Sequence, residues 1–269
     1  MPNMEWIVLY IALGAFVGFM AGLLGVGGGG ILVPLLAAIF TSQGISADNV
    51  VHLALGTSMT CMIISSTASI RAHAARSAVE WRFVRGMAPG IIMGAFLVTQ
   101  IAAEVNPAAI AIFFALFMAL VAGQMFLNWK PAPGHRPTTL RGLMAVGVGI
   151  GSISALAAVG GGFLTVAYLG FRNVDMKKAV GTSAAIGLPI AIAGTVGYLV
   201  SGWSKTADNP YTLGFIYVPA FVAIAIASAV AAPYGARFSH SLPEVLLKRI
   251  FAVVSLILSI TMLATIIEF

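Results

Sequence analysis

The residues of this chain with the clearest capacity for chemistry are glycines and hydroxyls. Val26-Gly27-Gly28-Gly29-Gly30-Ile31-Leu32-Val33 aligns without a gap on Val159-Gly160-Gly161-Gly162-Phe163-Leu164-Thr165-Val166, and a Gly-Thr-Ser tripeptide follows each run, at Gly56-Thr57-Ser58 and Gly181-Thr182-Ser183. Consecutive glycines break a helix, and each run leads straight into a second apolar segment. A helix N-terminus presents free N–H groups and a partial positive charge, and glycines ahead of it let a ligand approach the backbone closely, so each run is a candidate anion site. Thr57, Ser58, Thr182 and Ser183 can donate hydroxyl hydrogen bonds to the same anion. The candidate substrate-binding set is therefore Gly27, Gly28, Gly29, Gly30, Thr57, Ser58, Gly160, Gly161, Gly162, Thr182 and Ser183. No catalytic group, metal ligand or cofactor is expected.

The composition says where these residues must sit. Only 8% of the 269 residues are charged, 60% are hydrophobic and mean hydropathy is +1.02. A soluble domain carries roughly 25% charged residues. A soluble enzyme is excluded, and apolar runs recurring from end to end predict an all-α polytopic membrane protein. Cys61 stands alone, which excludes a disulfide framework. The net charge of +6 does not point to nucleic acid, because the basic residues lie in short loops between apolar runs. Bilayer lipid is the expected surrounding. Residues 1–25 lack a basic start and a cleavage site, so they are not expected to be a secretory signal.

Six segments are long enough to cross directly, at about 50–70, 83–103, 107–127, 178–200, 213–233 and 247–267. Two stretches, about 5–40 and 142–170, are too long for one span, and each contains a glycine run. With eight plain crossings, Lys and Arg divide 8 to 6 between the two sides. If each long stretch instead turns back on itself, they divide 13 to 1, with Lys205 the exception. The positive-inside rule selects the second arrangement and puts both termini outside the cytoplasm.

The glycine runs, the Gly-Thr-Ser tripeptides and the pair Pro89 and Pro219 recur in order, at offsets of 133, 125 and 130 residues. The chain therefore divides into a first transmembrane repeat (1–127), a proline-rich cytoplasmic linker (128–141) and a second repeat (142–269). Each repeat is a glycine-broken helical hairpin plus three transmembrane helices. Three net crossings are odd, so the second repeat is expected to lie inverted. Inverted repeats with interrupted helices are characteristic of secondary transporters, which bind substrate near the bilayer midplane.

Other glycines have a simpler role. Gly14, Gly18 and Gly22, Gly86, Gly90 and Gly94, and Gly147 with Gly151 are spaced by four, as on helix faces that pack closely. Packing within one chain or in a homo-oligomer are both open. His52, without a counterpart in the second half, is expected as an interfacial residue.

The paired motifs Gly25-Val-Gly-Gly-Gly-Gly-Ile-Leu-Val-Pro34 and Ala158-Val-Gly-Gly-Gly-Phe-Leu-Thr-Val-Ala167, each followed by Gly-Thr-Ser, resemble those of the TauE/SafE sulfite exporter family over nearly the whole chain. The motifs depart from symmetry at Gly30 against Phe163 and at Pro34 against Ala167. The resemblance implies a bacterial inner-membrane, multi-pass transporter of sulfur-containing anions such as sulfite, thiosulfate or organosulfonates. It fixes neither substrate nor direction. An anion channel is the alternative. No Asp or Glu lies at a span centre, so a carboxylate proton relay is not expected.

Overall fold

The computed structural model describes residues 4–24, 28–127, 139–207, 209–239 and 244–267, and over them the apolar runs are helices. In chain order these are α1 (Met4–Leu24), α2 (Gly29–Ser42), α3 (Ala47–Ala74), α4 (Trp81–Ala102), α5 (Pro107–Leu127), α6 (Leu140–Leu156), α7 (Gly162–Phe171), α8 (Met176–Gly202), α9 (Val218–Ser239) and α10 (Glu244–Ile267). Among the described residues, six helices (α1, α3, α4, α5, α8 and α9) are long and apolar enough to cross a bilayer. The protein is an all-α multi-pass membrane protein.

Each over-long stretch is indeed a helix, a break and a shorter helix. α2 has 14 residues and α7 has 10. At 1.5 Å per residue they reach about 21 Å and about 15 Å, short of a 30 Å hydrocarbon core. Their backbone can turn within the membrane only because protein surrounds it. The arms of each stretch do not lie along one another. α1 packs along α9, and α2 packs against α3 and α10; α6 packs along α4, and α7 against α8.

Glycine contacts give the relative directions. A Cβ on Gly14 would meet Ile224, and one on Gly18 would meet Ser228, so α1 and α9 run parallel. Gly147 and Gly151 abut Met87 and Ile91 in the same sense, so α6 and α4 run parallel. Gly56 lies beside Tyr198, Met59 beside Gly194, and Ser66 beside Gly187, so α3 and α8 cross antiparallel. Gly181 abuts Ala78 just before α4 and Gly197 abuts Thr99 near its end, so α8 runs with α4 and α6; α1, α3 and α9 bring their C-terminal halves to one cavity and point the other way. The periodic glycines act here as intrachain packing faces, with Gly86, Gly90 and Gly94 seated against Leu143, Met144 and Val148. Gly18 and Gly22 also line a cavity.

Two sequence expectations need adjusting. The span placed at 213–233 begins at Val218, because Thr212–Leu213 and Ile216–Tyr217 form a short antiparallel ribbon around Gly214, whose φ is +55°. Pro89 and Pro219 are not structural counterparts, since Pro89 is the ninth residue of α4 and Pro219 the second of α9. The linker residues 128–138 and Gly27 lie outside the described residues.

Among the described residues, every Lys and Arg except Lys205 lies at one end of the bundle, where α3 and α9 finish and α4, α6, α8 and α10 begin. Glu5, Asp48 and Glu104 lie at the other end, with Lys205. The charge segregation inferred from the loops is thus a property of the folded bundle.

Candidate functional site

The two glycine breaks meet. Gly28 and Gly161 occupy the N-cap positions of α2 and α7 with φ of +70° and +69°, left-handed backbone that favours glycine. Beyond them, a Cβ on Gly29 would stand 2.3 Å from the carbonyl oxygen of Ala158, and one on Gly30 would stand 3.0 Å from Val159 Cγ2. Ala158 is itself left-handed, with φ of +46°. The Gly160 carbonyl in turn faces Gly187, at 2.9 Å from where a Cβ would be. Gly162 opens α7. The first N–H groups of an α-helix have no acceptor within the helix, and here the N-termini of α2 and α7 are brought to one region.

The Gly-Thr-Ser hydroxyls are placed differently. Thr57 and Thr182 are fully buried, and each accepts a backbone hydrogen bond. The Tyr217 N–H donates to Thr57 Oγ1 at 2.9 Å, and the Glu80 N–H donates to Thr182 Oγ1 at 2.9 Å. Tyr217 immediately precedes α9, and Glu80 immediately precedes α4. The adjoining glycines complete the fit: a Cβ on Gly56 would lie 2.1 Å from Phe215 O, and one on Gly181 would lie 2.1 Å from Ala78 O. Each Gly-Thr pair therefore latches the segment that leads into a long helix. By the antiparallel register, Thr182 lies level with about residue 71 of α3, about 21 Å from Thr57 along the axis. These two hydroxyls do not converge on one anion. Ser183 Oγ donates to Val180 O at 2.8 Å, whereas Ser58 Oγ is buried without a partner.

A stability prediction follows from the latch. Thr57→Val leaves the Tyr217 N–H buried and unpaired, which costs about 1–3 kcal/mol. The unfolding temperature in detergent should fall for Thr57→Val and hold for Thr57→Ser. An unchanged midpoint together with a lost response to anions would instead make Thr57 a substrate group.

A cavity of about 520 Å³ lies between the C-terminal halves of α1, α3 and α9. Because those helices are parallel, it sits at the basic end of the bundle, with His73 and Arg76 among its lining residues. Ser65, Ser69 and Ser228 line it further in, and it reaches Gly28 of the first break. Cys61 is buried at its edge.

The opposite end is closed. Phe215 and Tyr217 of the ribbon are buried against α3, α2 and α1. Tyr217 packs edge-on to Phe40, at 5.3 Å between centroids, and lies 6.2 Å from the Tyr10 ring, whose hydroxyl accepts from Gln43 Nε2 at 2.7 Å. His52, expected at an interface, is buried instead, stacked on Phe215 at 5.0 Å with Nε2 2.9 Å from the Ala102 carbonyl. Lys205 Nζ donates to Ala103 O at 2.5 Å and to Glu104 at 2.7 Å. A cation at the last carbonyls of α4 complements the helix dipole. At the basic end, Lys178 pairs with Glu80 at 2.7 Å, so α4 and α8 are bridged at both ends. Both pairs are partly exposed and each contributes little energy.

Two site features escaped the sequence argument. The ribbon at 212–217 is hidden in an apolar run, and only Gly214 marks the turn. Ser154 and Thr165, both buried with unpartnered hydroxyls, flank the second break. The substitution of Thr165 for Leu32 in the aligned motif was the available signal.

Comparison with known proteins agrees with this architecture. The family described as "Sulfite exporter TauE/SafE" matches residues 10–262. A "Probable membrane transporter protein" of Haemophilus influenzae is 33% identical, covering 96% of this chain and 98% of that protein. The "Probable membrane transporter protein MJ0441" of Methanocaldococcus jannaschii is 28% identical over 87% of this chain and 86% of its own length. YdhB of Bacillus subtilis, also named a probable membrane transporter protein, is 25% identical over 90% and 94%. No solved structure matches. A multi-pass helical bundle with paired glycine breaks, matched by this family over residues 10–262, belongs to the TauE/SafE family, and the chain is a membrane transporter.

Proposed function

We propose that the chain is a secondary transporter that exports small sulfur-containing anions, such as sulfite or organosulfonates, across the bacterial inner membrane by alternating access. The observation that carries this is the contact of the two glycine breaks beside a cavity whose lining runs from Gly28 to His73 and Arg76 at the basic end. Two helix N-termini offer neutral, dipolar donors to an oxyanion. Among the described residues no Lys or Arg sits at the breaks to hold the anion too tightly for release. Arg76 at the cavity gives the approaching anion a positive field.

Residues 1–127 and 142–269 act as the two halves, joined by the linker 128–141. The pairing α1 with α9 and α6 with α4, with α3 and α8 crossing each other, is the pattern that an inverted duplication produces. The reciprocal glycine contacts, Gly14 on Ile224 against Gly147 on Met87, support the same reading. Gly28, Gly29, Gly30, Gly160, Gly161 and Gly162 form the binding region, with Gly27 as its expected extension. The closed aromatic end and the open basic end correspond to a cytoplasm-facing state. A negative interior drives anions outward without an intramembrane proton relay.

The test is thermal unfolding of the purified protein against sulfite, sulfate, thiosulfate, taurine, isethionate, acetate and chloride, followed by flux in liposomes. A ligand bound only by the folded state raises the midpoint, by about 2.7 kcal/mol of stabilisation at a hundredfold excess over Kd. The expected result is a shift with one or two sulfur anions and saturable counterflow of the same anion. Non-saturable flux without counterflow would establish a channel instead.

A further inference from the structure

The two breaks share a glycine at one aligned position and differ in chemistry at the two that flank it. Ala21, Gly28 and Leu32 of the first half stand where Ser154, Gly161 and Thr165 stand in the second. The first trio lines the open cavity. The second trio is sealed. Thr165 is 0% exposed and Ser154 1%, and neither hydroxyl has a hydrogen-bond partner. Thr165 belongs to the early part of α7, and its side chain points back toward the break, with Oγ1 3.3 Å from where a Cβ on Gly161 would be. It does not return a hydrogen bond to its own helix, the usual habit of a helical threonine. Ser154 lies in the last turn of α6, and its carbonyl accepts from the Val159 N–H at 3.0 Å, closing the bend.

A buried hydroxyl without a partner is unfavourable, and valine or alanine would fill the same space without that cost. We propose that Ser154 and Thr165, with the first amides of α7, form the oxyanion-binding half-site of the second break, closed in this conformation and exposed when the opposite face of the bundle opens. The ligand is a small oxyanion, inorganic or carried on an organosulfonate, that accepts from the two hydroxyls and the helix N-terminus. The inference rests on the transport function proposed above and adds an asymmetry to it. One half-site is walled by Ala21 and Leu32, and the other supplies directed side-chain donors.

The experiment compares the full-length wild-type protein with Thr165→Val, Thr165→Ser and Ser154→Ala. It measures the unfolding midpoint with and without sulfite, and separately with isethionate, and KM for flux of the same two anions in liposomes. Thr165→Val should keep or raise the ligand-free midpoint, lose the anion-induced shift and raise KM by about tenfold or more, the scale of a lost hydrogen bond to a charged group. Thr165→Ser should stay near wild type. A response confined to sulfite or to isethionate identifies which form of the oxyanion is bound. A Thr165→Val protein that binds as the wild type does, or that is destabilised without ligand while still binding, overturns the inference and leaves the transport reading intact. A wild-type protein that neither shifts nor carries any anion overturns both. Should Thr165→Val fail to fold, Ser154→Ala decides, and unchanged binding in that variant overturns the half-site.

Discussion

A Gly29→Leu variant should reach the membrane folded and carry no anion above the level of empty liposomes. The contact that forbids it is backbone to side chain. A Cβ at 29 would stand 2.3 Å from the Ala158 carbonyl oxygen, closer than any real Cβ contact, so even alanine forces the two break tips apart. The tips are ends of short helices. The long interfaces that hold the bundle, α1 with α9, α4 with α6 and α3 with α8, do not include Gly29. The fold should therefore survive while the site does not. Gly161→Leu should behave similarly for a different reason. Its clash is with the far end of Ile190, at 2.7 Å, which can move, but the left-handed φ of +69° costs a non-glycine residue about 1–2 kcal/mol. Gly90→Leu is the contrasting control. It meets the Met144 carbonyl at 2.0 Å in the α4–α6 interface and should fail to accumulate at all. Size-exclusion profiles and liposome flux on the three variants separate the outcomes. Normal flux through Gly29→Leu would remove the glycine breaks from the transport path.

The part of this architecture visible in the sequence was the part that repeats. Adjacent glycines at 27–30 and 160–162 interrupt apolar runs too long for one crossing, and they mark both breaks because consecutive glycines cannot sustain a helix. Glycines spaced by four mark the close packing of α1 on α9 and of α6 on α4. The function of the duplicated Gly-Thr pairs was not legible. Threonine near a break looks like a ligand group, and only the fold brings Tyr217 and Glu80, 160 and 102 residues away, to the two hydroxyls. Burial of His52 was equally hidden, since its stacking partner Phe215 arrives from a ribbon with no periodicity of its own. Asymmetry was legible only in part. Thr165 against Leu32 is a visible difference between the motifs, but its meaning depends on one position lining a cavity and the other being sealed.

Access to the cavity gives an all-or-none prediction about sidedness. Ser69 lines the cavity on α3, toward the end that carries Arg71 and Arg76. In a Cys61→Ser background, which removes the native thiol from the cavity edge, Ser69→Cys should react with a membrane-impermeant maleimide in inside-out vesicles and remain unlabelled in right-side-out ones. The reasoning joins two independent features. The C-terminal halves of the parallel helices α1, α3 and α9 put the opening at the basic end, and the positive-inside rule puts that end in the cytoplasm. A tag at the N-terminus, beyond the opposite end of α1, should be reachable only from outside. If Ser69→Cys reacts from outside and the tag from inside, the bundle is inserted the other way up, and the cavity becomes an entrance for uptake. If both report the same side, the parallel course of α1 and α3 is wrong, and the placement of the cavity at the basic end falls with it. Labelling from the cytoplasm that declines when a transported anion is added would link the cavity to the substrate path, because a site at Gly28 can shield Ser69 only if the anion passes through the same space.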